Sequence, residues 1–245
     1  MGRSGTEVTK QASDMIITDD NFASIAAAVE EGRGVFDNIR KAVHFLLSCN
    51  LSEVLVMLFA ALLGLPLPLL PIQILWMNLV TDGVPALALA LEPGEEGLMQ
   101  RAPAEPGESI FARGIGSYIL RIGVVFAVIV ITLMVWAARA GLPWQTMVFT
   151  TLCLAQMGHA LSARSDRPLI QMDPWSNPWL IWAVVLTSGL QMLLLYVPWL
   201  AKFFGTTPLT LNELLICVEV SAVFFVYLEL EKIWRLWRRS AHADA

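Results

Sequence analysis

The chain has 245 residues, of which 56% are hydrophobic and only 15% charged, where soluble domains usually carry about 25% charged residues; its mean hydropathy is +0.63. A net charge of −5, with no basic run interleaved with aromatics, argues against nucleic acid as a partner. Residues 1–42 have ordinary soluble composition and the apolar blocks begin at Val43, so the chain reads as an integral membrane protein with a short polar head and the lipid bilayer as its surroundings.

The head lacks the apolar core of a signal peptide. Its short apolar run, Met15 to Thr18, reads as a β-strand, and Asp19-Asp20-Asn21 then offers side chains that cap a helix and complement its positive N-terminus. From Phe22 no residue stops a helix before Gly64, although Gly32 and Gly34 each weaken it by about 1 kcal/mol relative to Ala. If continuous, roughly 40 residues at 1.5 Å each form a rod of about 60 Å, twice the bilayer core, tying a cytoplasmic domain mechanically to the membrane. The alternative is a helix that ends near Gly32 to Gly34.

A bilayer core takes roughly 20 apolar residues per helix. Six blocks qualify, at about 43–64, 71–91, 115–137, 146–163, 179–200 and 210–230, leaving 232–245 as a tail. Gly64 to Pro71, "GLPW" and "DPWSNPW" punctuate them, and 92–108 reads as a loop. The fourth block is the weakest, being short and carrying Gln156 and His159. With six spans, 13 Lys and Arg residues fall on the side of both termini and only Arg139 and Lys202 on the other, with Arg121 near a span end. The positive-inside rule then puts both termini in the cytoplasm. Trp144, Trp175, Trp179, Trp199, Trp234 and Trp237 mark span ends as an aromatic belt would.

Polar residues at membrane depth carry the chemistry. Asn50 and Glu53 stand at i, i+3 on the first span; Asn78, Thr81 and Asp82 stand at i, i+3, i+4 on the second, sharing one face of a regular helix. A charged Asp near the bilayer centre costs about 2.5–3.5 kcal/mol on insertion scales. The short 65–70 connection makes the two helices antiparallel neighbours, so the two sets can meet at similar depth. Together they offer two carboxylates, two amide carbonyls and a hydroxyl, which suits a hard cation such as Ca²⁺. Cys49, Cys153 and Cys217 lack metal-ligand spacing and read as packing residues, so no soft-metal site is indicated. Gly83 and Pro85 follow Asp82, as in broken helices that expose carbonyls at transport sites. Interhelical hydrogen bonding is the plainer explanation for Asn50 alone, and packing explains Gln156 and His159 equally well.

"SDMIITDDNFASIAAAVEEGR", "NLSE", "PIQILWMNLVTDGVPALALALEP" and "RAP" closely resemble the C-terminal part of P-type ATPases of the calcium-pump branch, nearly continuously from Gly5 to about Gly114 and more loosely beyond. The resemblance implies residues 1–22 as a remnant of an α/β phosphorylation domain, 23–42 as a cytoplasmic stalk helix, and 43–231 as a six-helix transmembrane bundle corresponding to the pump's fifth to tenth helices. It implies Asn50, Glu53, Asn78, Thr81 and Asp82 as ion ligands and Ca²⁺ as the transported ion. In two-calcium pumps a Glu on the eighth helix completes one site, and "AQMGHALSARS" puts Gln156 there, which points to one Ca²⁺ per cycle. The motifs DKTGT, PEGL and GDGxND are absent from this chain. ATP and Mg²⁺ therefore belong to the complete pump, the missing N-terminal half is the expected partner, and the chain looks like a fragment starting at an internal methionine that alone does not hydrolyse ATP. A non-enzymatic cation channel or a regulatory membrane protein derived from such a pump is the competing expectation; Na⁺ or H⁺ specificity also stays open.

Overall fold

The computed structural model describes residues 2–95, 97–102 and 115–243, the last five by backbone alone. Its long helices follow the apolar runs, and α2, α5, α7 and α8 stop within two residues of a proline or glycine: α1 (Glu7–Gln11), α2 (Ala23–Leu62), α3 (Pro71–Trp76), a π-helical segment (Met77–Asp82), α4 (Gly83–Leu89), α5 (Ile115–Arg139), α6 (Trp144–Ser162), α7 (Pro178–Tyr196), α8 (Pro198–Phe204) and α9 (Leu211–Ala243). Among the described residues there is no strand, and the fold is an all-α bundle. Met15–Ile17 is extended but unpaired in any ladder, so the expected strand is not formed. Ile17 O accepts one bond from Gly2 N–H at 2.7 Å, and Asp20 accepts from Arg3 N–H and Ser4 N–H at 3.2 Å each.

α2 runs unbroken for 40 residues, about 60 Å at 1.5 Å per residue. Asn21 Oδ1 accepts the Ala23 N–H at 3.1 Å and Asp19 takes the Ser24 hydroxyl at 2.6 Å, so the acidic triplet does secure the helix start. At the far end Gly64 adopts φ +66°, and the bonds Gly64 N–H to Ala61 O and Leu65 N–H to Ala60 O satisfy the last carbonyls. Gly34 does not break the rod. Its missing side chain admits the segment after α4, with Leu98 Cδ1 3.7 Å and Gly94 Cα 3.9 Å from where a Cβ would stand. Arg33 donates to Leu98 O and Arg101 O at 2.8 Å each, and Arg101 bridges Asp37 at 2.9 Å and Glu95 at 2.7 Å. Burial works to raise the Glu95 carboxyl, but the Lys41 ammonium at 3.0 Å and the Arg101 guanidinium outweigh it and hold that group below the usual glutamate range.

Among the described residues five helices are long and apolar enough to cross a bilayer: Ala23–Leu62, Pro71–Leu89, Ile115–Arg139, Pro178–Tyr196 and Leu211–Arg238. The fourth expected block, α6, is a 19-residue helix that is too polar to qualify by composition. Most of its side chains are buried among α5, α7 and α9, so it has little surface left to meet lipid. Two further boundaries differ from expectation. The 179–200 span ends at Tyr196, because Pro198 cannot continue an α-helical ladder and opens α8 instead. The last helix continues to Ala243 through the segment expected as a tail. The expected 92–108 loop lies partly outside the described residues; its described part contains one turn of 3₁₀ helix, Leu98–Gln100.

The core forms where α2, α5, α6 and α9 pack, with Phe126 stacked on Phe224 at 4.3 Å between ring centroids. Trp175, Trp179, Trp199, Trp234 and Trp237 are exposed, as residues facing an interface would be. α2 packs tightly against α5 at Gly123, where an added Cβ would lie 3.1 Å from Leu51 Cγ and 3.2 Å from Leu51 Cδ2. Small residues permit such contacts between membrane helices. Gly123→Val is therefore expected to destabilise the protein by about 1–3 kcal/mol through overpacking. Gly189→Ala, on an exposed face with no atom within 4 Å, should stabilise it slightly. Thermal unfolding in detergent separates the two.

Candidate cation site

Glu53 sits on the membrane half of α2, buried to 4% exposure. Facing it, the chain loses α-helical geometry: Met77–Asp82 forms a π-helical segment. Pro85 accounts for part of this, since it has no N–H to offer the Thr81 carbonyl one turn earlier. π segments within α-helices concentrate at functional sites. The wider turn also separates the three polar side chains that a regular helix would align. Thr81 and Asp82 point inward and are fully buried, whereas Asn78 is exposed. That corrects the expectation of one shared face.

Asn78 nevertheless reaches the cluster. Its Nδ2 donates to Glu53 Oε2 at 3.2 Å and to Ile74 O at 3.0 Å. Gln156, on α6, donates from Nε2 to Glu53 Oε1 at 2.8 Å. Its own Oε1 accepts the Thr81 hydroxyl at 2.9 Å; that hydroxyl also lies 3.0 Å from Met77 O. Glu53, Asn78, Thr81 and Gln156 thus form one connected chain across three elements. Asn50 is not in it: this half-buried side chain gives its amide to Leu46 O, 2.8 Å away on its own helix.

Asp82 is the exception. It is completely buried, and neither carboxylate oxygen has a hydrogen-bond partner within the cluster by geometry. A buried carboxylate left this way is costly and calls for a positive partner. The Cys49 thiol lies beside it, and Cys49 Sγ is 3.7 Å from His159 Nδ1. His159 is itself backed edge-on by Phe45, at 5.4 Å between ring centroids. By sequence Cys49 reads as a packing residue and His159 is left open; the available signal is spacing, since Cys49 precedes Glu53 by one turn and His159 follows Gln156 by one turn. Among the described residues no three His, Cys, Asp or Glu side chains gather as a metal cage. The donor set is two carboxylates with amide and hydroxyl oxygens, hard-cation chemistry.

A multi-pass helical bundle with a buried oxygen-donor cluster on an interrupted helix is the class of a membrane transport domain. Within that class, the family described as "Cation transporting ATPase, C-terminus" matches residues 66–234, and the chain belongs to it. It is 42% identical to a calcium-transporting ATPase of Bacillus subtilis, over 91% of this chain and 26% of that protein. It is 34% identical to calcium-transporting ATPase 1 of Bacillus cereus, over 95% of this chain and 28% of that protein. With calcium-transporting ATPase 4, endoplasmic reticulum-type, of Arabidopsis thaliana it shares 32% identity, over 90% of this chain and 26% of that protein. The chain therefore spans about a quarter of the length of these relatives and corresponds to a C-terminal part of a cation-transporting ATPase.

The connectivity ranks two substitutions. Thr81→Val removes one interhelical hydrogen bond, worth about 0.6 kcal/mol on average between membrane helices. Gln156→Leu strips partners from both Glu53 and Thr81 and should cost about 1–3 kcal/mol. Thermal unfolding in detergent is expected to return that order.

Proposed function

We propose that this chain is the ion-carrying membrane part of a Ca²⁺-transporting P-type ATPase, in which Glu53 and Asp82 bind the transported cation together with oxygens of Asn78, Thr81 and Gln156. Asn50, one turn from Glu53 and bonded through its amide nitrogen to Leu46 O, is a further ligand in this reading through its side-chain oxygen. The observation that carries this is Asp82: a fully buried carboxylate with no neighbour but the weakly donating Cys49 thiol to answer it among the described residues, on a π-interrupted segment facing a second buried carboxylate. A divalent cation supplies the missing charge.

The same proposal assigns residues 1–22 to the end of the phosphorylation domain and 23–42 to a stalk through which phosphorylation moves the site. ATP and Mg²⁺ act on the remainder of the pump. The positive-inside distribution supports both termini in the cytoplasm, with α6 counted among six spans as the fourth. Within the chain Glu53 and Asp82 supply two negative charges, and Gln156 adds none. Desolvated charge imbalance is costly, so the site suits one Ca²⁺ per cycle; a measured stoichiometry of two would overturn that number.

The test is equilibrium ⁴⁵Ca²⁺ binding to the full-length protein. Asp82→Asn and Glu53→Gln are each expected to weaken binding by a hundredfold or more, about 2.7 kcal/mol. Thr81→Val should weaken it by tenfold or less. Wild-type affinity in Asp82→Asn would remove the proposal.

A further inference from the structure

The largest side chain buried to under 2% exposure is a charged one, Arg164, just beyond the end of α6. Its only ion-pair partner among the described residues is Glu92, just past the end of α4. The contact is a fork: Nε donates to both Glu92 oxygens at 3.1 Å and Nη2 to Oε1 at 3.0 Å. The remaining donors are also used, Nη1 by Pro174 O at 3.1 Å and Nη2 by Ser176 Oγ at 2.6 Å. Glu92 gathers two more elements. Asn177, at the start of α7, donates to Glu92 Oε2 at 2.7 Å and to Ala88 O at 2.9 Å. Asn38, on α2, donates to the Glu92 backbone carbonyl at 2.5 Å.

These contacts repeat, outside the cation cluster, the set of helices that form it. α2 carries Glu53, the π segment leads through α4 to Glu92, and α6 carries Gln156. Eight residues separate Gln156 from Arg164, about 12 Å along a helix. The Thr81–Gln156 hydrogen bond alone leaves the π segment free to pivot and slide against α6. A second, two-pronged contact farther along the same pair of elements removes both freedoms. A lysine in place of Arg164 would keep the charge and lose the fork, because an ammonium is a point donor.

We propose that Arg164 and Glu92 are positioning residues: their buried fork fixes the register of α6 against the π-interrupted helix, and thereby sets the affinity of the Glu53–Asp82 site. This rests on the proposed cation site, and the experiment keeps the two separable. Equilibrium ⁴⁵Ca²⁺ binding and thermal unfolding in Ca²⁺-free detergent are measured on the full-length protein carrying Arg164→Lys, the charge-free pair Glu92→Gln/Arg164→Gln, and Leu228→Ala. Leu228 is buried in the core on α9, so its truncation lowers stability without touching either contact set. Arg164→Lys and the double variant are expected to lose tenfold or more in Ca²⁺ affinity. Leu228→Ala, at equal or greater loss of melting temperature, is expected to stay within twofold of the unsubstituted protein. If either clamp variant folds and binds Ca²⁺ within twofold of wild type, or if Leu228→Ala loses affinity in proportion to its stability, the positioning role is overturned. Glu53→Gln is the reference for the site itself. Undiminished binding there removes the site assignment, and this inference with it, whereas loss there together with unaffected clamp variants removes the clamp alone.

Discussion

A carboxylate in the middle of a membrane protein has to be held, and much of this bundle is arranged around holding Glu53. Its two oxygens each take one amide hydrogen, from Asn78 and from Gln156, so a single side chain on α2 ties together the π segment and α6. This requirement explains why α6 is so polar for a membrane helix. A helix enclosed by its neighbours need not match lipid, and it can carry the glutamine, threonines and histidine that a lipid-facing helix could not. Asp82 follows the opposite rule: the fold buries it and leaves it unanswered.

The long helix and the interrupted helix serve this arrangement differently. α2 is continuous from the polar head to the cluster, so one unbroken helix joins the head to Glu53. The segment after Trp76 is the reverse, a place where the backbone ladder is already loosened by π geometry and by Pro85. Docking of residues 92–95 and 97–101 along the N-terminal half of α2, through Arg33, Lys41 and Arg101, links the two outside the site. A rigid lever beside a compliant segment is the combination expected of a site that changes affinity.

Much of this was legible in the sequence, and the misses share a cause. Helix positions followed from apolar blocks and from stop signals such as Gly64, and the motifs around Glu53 and Asp82 pointed to hard-cation chemistry. The strand expected at Met15–Thr18 failed because propensity cannot supply a ladder partner. The shared face of Asn78, Thr81 and Asp82 failed because regular helical spacing was assumed across a π segment, although Pro85 was in view. Asn50 differs from its plainer explanation as well: its amide bonds Leu46 O within its own helix, where an interhelical partner was expected. The Cys49–His159 contact and the Glu92–Arg164 pair were not expected, since they join residues 110 and 72 positions apart in the chain.

The central claim is that Glu53 and Asp82 share a cation. The most direct measurement is a structure of the full-length protein in saturating Ca²⁺, with anomalous scattering collected to locate the ion. The account predicts a peak between the two side chains, with oxygens of both at about 2.3–2.6 Å. Ordered density for both carboxylates with no peak between them, or a peak bound wholly by other residues, would contradict it.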